Sequence, residues 1–277
     1  SSMTTTPHSF DQALVLESTA PGLLRGHTSP AYWNMVGPFG GITAATALRA
    51  ILLHPDRLGD PLSLTVNYAG ALSTGPFTVQ ATPVRTNRST QHWTVSILQT
   101  DAQGEQVVTT TATAVTAVRR ETWSLADVAM PTVPGPEGLD AYPPAPGIEW
   151  FSRYDLRPVT GALPRQWNGQ GDSSLSQVWM RDNPARPLDF CALAALADVF
   201  FPRVWLRRAV HVPAGTVSIT VYFHASPAQL EATGTGHVLG QARAQEFRNG
   251  FFDQTVQLWS ESGTMLATSH QIVYYKE

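Results

Sequence analysis

Leu62-Ser-Leu-Thr-Val-Asn-Tyr68 returns 155 residues later as Val217-Ser-Ile-Thr-Val-Tyr-Phe223, with Ser, Thr and Val repeated and the other apolar positions kept in type. Each copy follows a helix pattern built from small residues, Gly41-Ile-Thr-Ala-Ala-Thr-Ala-Leu-Arg-Ala50 in the first and Phe190-Cys-Ala-Leu-Ala-Ala-Leu-Ala197 in the second. Strand-like segments come after each. A long fixed period with the order helix then strands marks two copies of one supersecondary unit. The expected fold is α+β, two helix-plus-antiparallel-sheet repeats joined edge to edge into one continuous sheet.

Working outward from the echo, the first half is expected to carry a helix from about 41 to 54, stopped at Pro55, and strands at about 62–68, 76–85, 91–100 and 106–118. Residues 129–147 hold six prolines and read as an extended linker. This sets the expected division: an N-terminal unit at 1–128, the linker at 129–147 and a C-terminal unit at 148–277. The second unit is expected to bring strands near 151–157 and 175–181, a helix over 189–201, and strands near 216–224, 228–235, 237–247, 251–260 and 264–275.

Composition narrows the function. Charged residues make up 14% of the 277 and the net charge is −3, so there is no basic field for nucleic acid or anionic lipid. The single cysteine, Cys191, excludes an internal disulfide and a cysteine cluster for zinc, and its apolar setting reads as a buried structural thiol. The eight histidines offer no ligand spacing; His224 and His270 fall on strands. Neither metal nor cofactor is expected. No run of about 18 apolar residues and no secretory leader pattern occurs, which points to a cytoplasmic protein without membrane insertion. Ser1-Ser2 ahead of Met3 reads as a cloning remnant.

Asp198 is the anomalous residue. Its helical pattern is apolar on nearly every face, through Phe190, Leu193, Leu196, Val199, Phe200 and Phe201, and a carboxylate there must be paired, hydrogen-bonded or placed for a reaction. The residues leave open a structural role, satisfying backbone groups at a helix end or pairing with Arg203 or Arg207. Overlaying the copies through Pro55 and Pro202 sets Asp198 opposite Ile51; by their strands, Thr216 falls opposite Pro61 and Gln271 opposite Ala112. Three polar groups thus belong to the second copy alone. The first copy has its own specialisation, Gly40-Gly41, where the second has Pro187-Leu188. Paired glycines at a helix start admit a ligand to the free N–H groups, although a plain tight turn would also use them. A side chain at Gly41 is expected to block that approach while leaving the fold largely intact.

At these residues the chain resembles the TesB-like acyl-coenzyme A thioesterases, or thioesterase II. Phe39-Gly-Gly-Ile42 matches that family's helix entry, Leu193-Ala-Ala-Leu-Ala-Asp198 with Pro202 its acid-bearing helix, Thr216-Val-Ser-Ile-Thr-Val-Tyr-Phe-His224 its Thr-led strand, and Gly263-Thr-Met-Leu-Ala-Thr-Ser-His-Gln271 its closing strand. The resemblance spans nearly the whole chain. It implies a double-hotdog fold, hydrolysis of fatty acyl-CoA, and a hydrolytic water held by Asp198, Thr216 and Gln271. The segment between Asp198 and Thr216 is shorter than in the best-known members. A thioester needs no nucleophilic Ser or Cys, and no Gly-x-Ser-x-Gly elbow is present. Gly40 and Gly41 would polarise the thioester carbonyl. Acyl-CoA is the expected partner, with pairing into a homodimer or higher homo-oligomer compatible with the fold. Two other readings stand beside hydrolysis: a non-catalytic acyl-CoA or lipid binder, and a hotdog acyl-thioester hydratase, which would want a histidine beside the acid.

Overall fold

The computed structural model describes residues 6–277, so the Ser1-Ser2 reading lies outside the described residues. The first half runs α1 (Ser9–Ala13), β1 (Glu17–Ala20), β2 (Leu23–His27), α2 (Gly40–Leu52), β3 (Asp60–Tyr68), β4 (Pro76–Thr86), β5 (Thr90–Thr100) and β6 (Gln106–Ala117). The second runs β7 (Tyr154–Thr160), β8 (Ser176–Asp182), α3 (Phe190–Leu196), α4 (Arg203–Arg208), β9 (Ala214–Phe223), α5 (Pro227–Thr233), β10 (Val238–Arg243), β11 (Phe247–Arg248), β12 (Phe251–Ser260) and β13 (Met265–Tyr275). The strands form one 13-stranded sheet in the order β1-β2-β4-β5-β6-β3-β9-β13-β12-β10-β8-β7, with β11 paired to β12. Read from the middle outward, the two halves of that order are the same list: β3 answers β9, β6 answers β13, β5 answers β12, β4 answers β10, and β1 and β2 answer β7 and β8.

The seam between the halves is the echoed strand itself. β3 and β9 pair antiparallel from Ser63 opposite Tyr222 to Asn67 opposite Ser218. The central pair is Thr65 and Thr220, which are also equivalent in the repeat, and their hydroxyls meet at 2.9 Å. A pair that is its own image fixes a local twofold axis at that point. The alternation does the rest: Leu64, Val66, Ile219 and Val221 are buried on one face while the Thr and Ser side chains take the other. Both halves also break register at the same place, skipping Leu62 against β6 and Val217 against β13. A bulge of this kind re-aims the residues beside it, here Pro61 in one copy and Thr216 in the other.

α2 and α3 lie in the core. All seven residues of α3 and ten of the thirteen in α2 are buried, the pattern of helices covered on all sides. Small residues set how close they come: a methyl on Gly41 would stand 2.8 Å from the Ala195 carbonyl oxygen of α3.

Several boundaries differ from the sequence reading, each for a local reason. The helix expected over 189–201 is α3 alone, opened by Asp189 accepting from Ala192 N at 2.8 Å and ended at Leu196, so Asp198 lies just past its end; Pro202 then opens α4. The strand expected at 228–235 is helix α5, because Ser226, Pro227 and Gln229 make a capping box with Pro at the first position. The strand expected at 151–157 begins at Tyr154, after a 3-10 turn over Glu149–Arg153. β1 and β2 were not expected at all. Residues 118–148 make no helix or strand, yet part of the segment is tied to the second half: Pro134 O accepts from Trp179 Nε1 at 2.8 Å, Tyr142 N donates to Leu156 O at 2.9 Å, and Met130, Val133 and Leu139 cover Trp179, Leu239 and Trp259.

Candidate functional site

Asp198, Gln271 and Thr216 come from three elements and form one hydrogen-bonded chain. Gln271, inward on β13, donates from Nε2 to Asp198 Oδ1 at 3.2 Å and accepts at Oε1 from the Thr216 hydroxyl at 2.8 Å. Because that hydroxyl spends its proton on Gln271, its lone pairs are left to accept from a water. Burial pushes the Asp198 carboxyl up to about 7, against the opposing hydrogen bond from Gln271. Neither arginine neutralises it. Arg203 is itself buried and bonds Gln254, Ser176 and the carbonyls of Ser174 and Phe201, while Arg207 bonds Gly171 O. The ion-pair reading of Asp198 is therefore set aside on geometry.

The other carboxylate oxygen turns to the first half. A methyl built on Gly40 would sit 2.6 Å from Asp198 Oδ2 and 3.4 Å from the Tyr68 hydroxyl. Phe39, the residue preceding α2, offers no side-chain cap, and among the described residues Gly40 N–H and Gly41 N–H have no hydrogen-bond acceptor. Two unpaired donors therefore stand at the start of a 13-residue helix that the half-buried Asp198 approaches at Gly40. The glycines divide their work differently from the expectation. Gly40 makes room for Asp198, whereas Gly41 is packed between the Phe39 ring and the Ala195 carbonyl, so a side chain there would disturb the helix pair as well as the donors.

The strand registers correct one equivalence. Leu64 faces Ala114 across β3 and β6, and its counterpart Ile219 faces Gln271 across β9 and β13, so Gln271 stands opposite Ala114 in the other copy and not Ala112. The asymmetry of a polar side chain against an alanine is unchanged. The histidines lie apart from the acid. His224 Nε2 meets Thr268 Oγ1 at 2.9 Å, and His270, which has a partner the sequence reading did not give it, meets Asp253 Oδ2 at 2.8 Å on the exposed side of β13. Among the described residues no group of three or more His, Cys, Asp or Glu is placed to hold a metal. Cys191 is buried in α3, where burial pushes its thiol up.

Two residues of consequence escaped the sequence reading. Tyr68 closes the echoed strand β3 and donates to Gly40 O at 2.7 Å. Asp182 closes β8, inward like Ser176, Val178 and Met180, and the period-2 count from those residues was the signal that could have found it. It is 3% exposed, and among the described residues its Oδ1 has no partner and the hydroxyls of Tyr32 and Tyr154 are unpartnered as well. Burial pushes Asp182 up to about 7, with Arg186 opposing and Asp189 and Asp11 adding to the rise. An acid whose folded pKa is raised binds its proton more tightly when folded. Stability is then fully present below the unfolded value near 4 and is lost as pH rises towards about 7. Asp182→Asn is expected to remove up to about 4 kcal/mol of that loss, so between pH 5 and 8 its melting temperature should fall less than that of the wild type. Parallel melting curves across this range would refute the assignment.

With this geometry in place, comparison with known proteins settles the family. The acyl-CoA thioesterase N-terminal domain matches residues 29–117, and the acyl-CoA thioesterase C-terminal domain matches residues 129–275. The chain belongs to the acyl-CoA thioesterase family. A conserved protein of unknown function with a hot dog fold from Alicyclobacillus acidocaldarius is 46% identical, with a TM-score of 0.91 over 98% of this chain and 99% of that one. A putative thioesterase II from Thermobifida fusca YX is 19% identical, with a TM-score of 0.81 over 97% of each chain. Acyl-CoA thioesterase II TesB2 from Mycobacterium marinum is 20% identical, with a TM-score of 0.76 over 96% of this chain and 98% of that one. The double-hotdog fold of the TesB-like proteins is thus the fold of this family member. No curated protein matches the chain. Among its described residues no helix is long and apolar enough to cross a membrane.

Proposed function

We propose that this thioesterase-family chain hydrolyses fatty acyl-CoA to the free acid and coenzyme A at one site per chain, shared between its halves. The observation that carries the reading is the meeting of the Asp198–Gln271–Thr216 chain with the unpaired helix start at Gly40-Gly41. Water accepts orientation from Thr216 and Gln271 and gives a proton to Asp198 as its oxygen bonds the thioester carbon. The carbonyl oxygen becomes an oxyanion, stabilised by N–H groups at the start of α2. Collapse breaks the carbon–sulfur bond, and the proton held on Asp198 goes to the departing thiolate. A carboxylate with a pKa of about 7 suits both halves of that exchange. A narrow cleft beside α2, lined by Ile42, Thr43, Thr46, Leu72 and Phe77, encloses only about 20 Å³ and has to widen before it can take an acyl group.

The test is release of coenzyme A thiol from a panel of acyl-CoA esters, followed with a thiol reagent across pH. Hydrolysis should rise with pH through about 7, because only the ionised Asp198 can take the proton. Tight binding of acyl-CoA without thiol release would replace this reading with the non-catalytic one. The hydratase reading has less support: His224 and His270 are engaged with Thr268 and Asp253, and neither bonds Asp198.

A further inference from the structure

Gly40 C=O and Gly41 N–H belong to one peptide group, and a peptide is planar, so fixing the direction of its oxygen fixes the direction of its N–H. The Tyr68 hydroxyl donates to that oxygen at 2.7 Å. We propose that Tyr68 is a positioning residue for the thioester site, holding and polarising the Gly40–Gly41 peptide so that Gly41 N–H is aimed at, and binds more strongly, the oxygen that becomes negative. The inference rests on the hydrolase reading and adds a residue to it.

Three observations converge. The first is the hydrogen bond itself. It lies deep enough that burial, with the charge of Asp198 adding to it, raises the Tyr68 hydroxyl well above its ordinary value, so it stays a donor throughout the working range. In a low-dielectric setting, a bond accepted at the carbonyl strengthens donation from the N–H of the same amide. The second is placement: the same point beside Gly40 lies within reach of both Asp198 Oδ2 and the Tyr68 hydroxyl, so the tyrosine acts at the place where the two halves of the site meet. The third is the repeat. Tyr68 and Phe223 are equivalent positions, and the hydroxyl is present only in the copy whose helix opens with Gly-Gly. Phe223 is 1% exposed in β9, so the equivalent strand position of the other copy already carries a buried phenylalanine.

Tyr68→Phe deletes the donor and keeps the ring. Gly40-Gly41 is the one place in the sequence where two glycines are adjacent. With glycine labelled at its carbonyl carbon and nitrogen, a single carbonyl-to-amide NMR cross-peak therefore reports on this peptide alone. In Tyr68→Phe that peak should move, with the carbonyl carbon upfield, while melting temperature holds. On an acyl-CoA substrate kcat should fall roughly tenfold with KM unchanged, less than the 10² to 10³ that follows loss of an oxyanion donor outright. A stationary peak overturns the proposal, and so does a moved peak with full kcat. A wild-type protein that releases no coenzyme A overturns the hydrolase reading instead, and the cross-peak still decides whether Tyr68 governs the peptide.

Discussion

Asp198→Asn is expected to lose roughly 10²-fold or more in coenzyme A release while melting no lower than the wild type at pH 8. The amide keeps the shape of the side chain and can still accept from Gln271 Nε2, the one hydrogen bond the Asp198 side chain makes among the described residues. It cannot take a proton from water. The stability half follows from linkage. Burial raises the carboxyl to about 7, so between the unfolded value near 4 and about 7 the folded state holds a proton that the unfolded state has released, and stability falls as pH rises. Removing the charge should restore about 1–3 kcal/mol above pH 7, less than a fully enclosed acid would yield because Asp198 keeps some open surface. Below pH 5 the two proteins should melt alike. Full activity in a folded Asp198→Asn protein would end the general-base role, and a lower melting temperature at pH 8 would show that the ionised carboxylate stabilises the fold.

Much of this was legible because the chain was written twice. The echo around Thr65 and Thr220 gave the duplication and the edge-to-edge sheet, though not that these strands are the seam, and the strand patterns gave β3, β4, β5, β6, β9, β12 and β13 to within a few residues. Duplication also sharpened the candidate site: Asp198 is anomalous on its own in an apolar helix, while Thr216 and Gln271 stand out only against a copy that lacks them. What was missed falls into two kinds. α5 was decided by its capping box, Ser226 with Gln229, which overrides the pattern that suggested a strand, while α3, opened by Asp189 at Ala192, stops at Leu196 within an apolar run that suggested a longer helix. β1 is exposed along its whole length and carries no alternation, so only the symmetry of the finished sheet, in which it answers β7, makes it intelligible. Tyr68 and Asp182 looked like ordinary strand ends. The meaning of Tyr68 comes from a contact with the start of α2 that no spacing encodes, whereas the period-2 count along β8 could have placed Asp182 inward.

The two glycines show how far one residue type can hide two functions, and they give the second large effect. Gly41→Val should destabilise the protein by about 3 kcal/mol or more, a fall of roughly 6–12 °C in melting temperature, and lose activity as a consequence. Its first side-chain carbon would stand 2.8 Å from the Ala195 carbonyl oxygen and 2.4 Å from Phe39 Cζ. The first of these is backbone of the neighbouring core helix and has nowhere to go, and two further methyls of a β-branched residue add to the clash. Gly40→Ala is different in kind. Its methyl meets the end of a side chain, Asp198 Oδ2 at 2.6 Å, and α2 gains a better helix former at its first turn, so stability should stay within about 1 kcal/mol. The carboxylate must swing away from the helix start, however, and kcat should fall by roughly tenfold or more as the acid leaves its position against Gln271. The contrast is the test, with melting and coenzyme A release measured on both variants. A Gly41→Val protein that melts like wild type would remove the close helix contact from the account of the core. A Gly40→Ala protein with full turnover would show that Asp198 does its work without facing the first half of the chain.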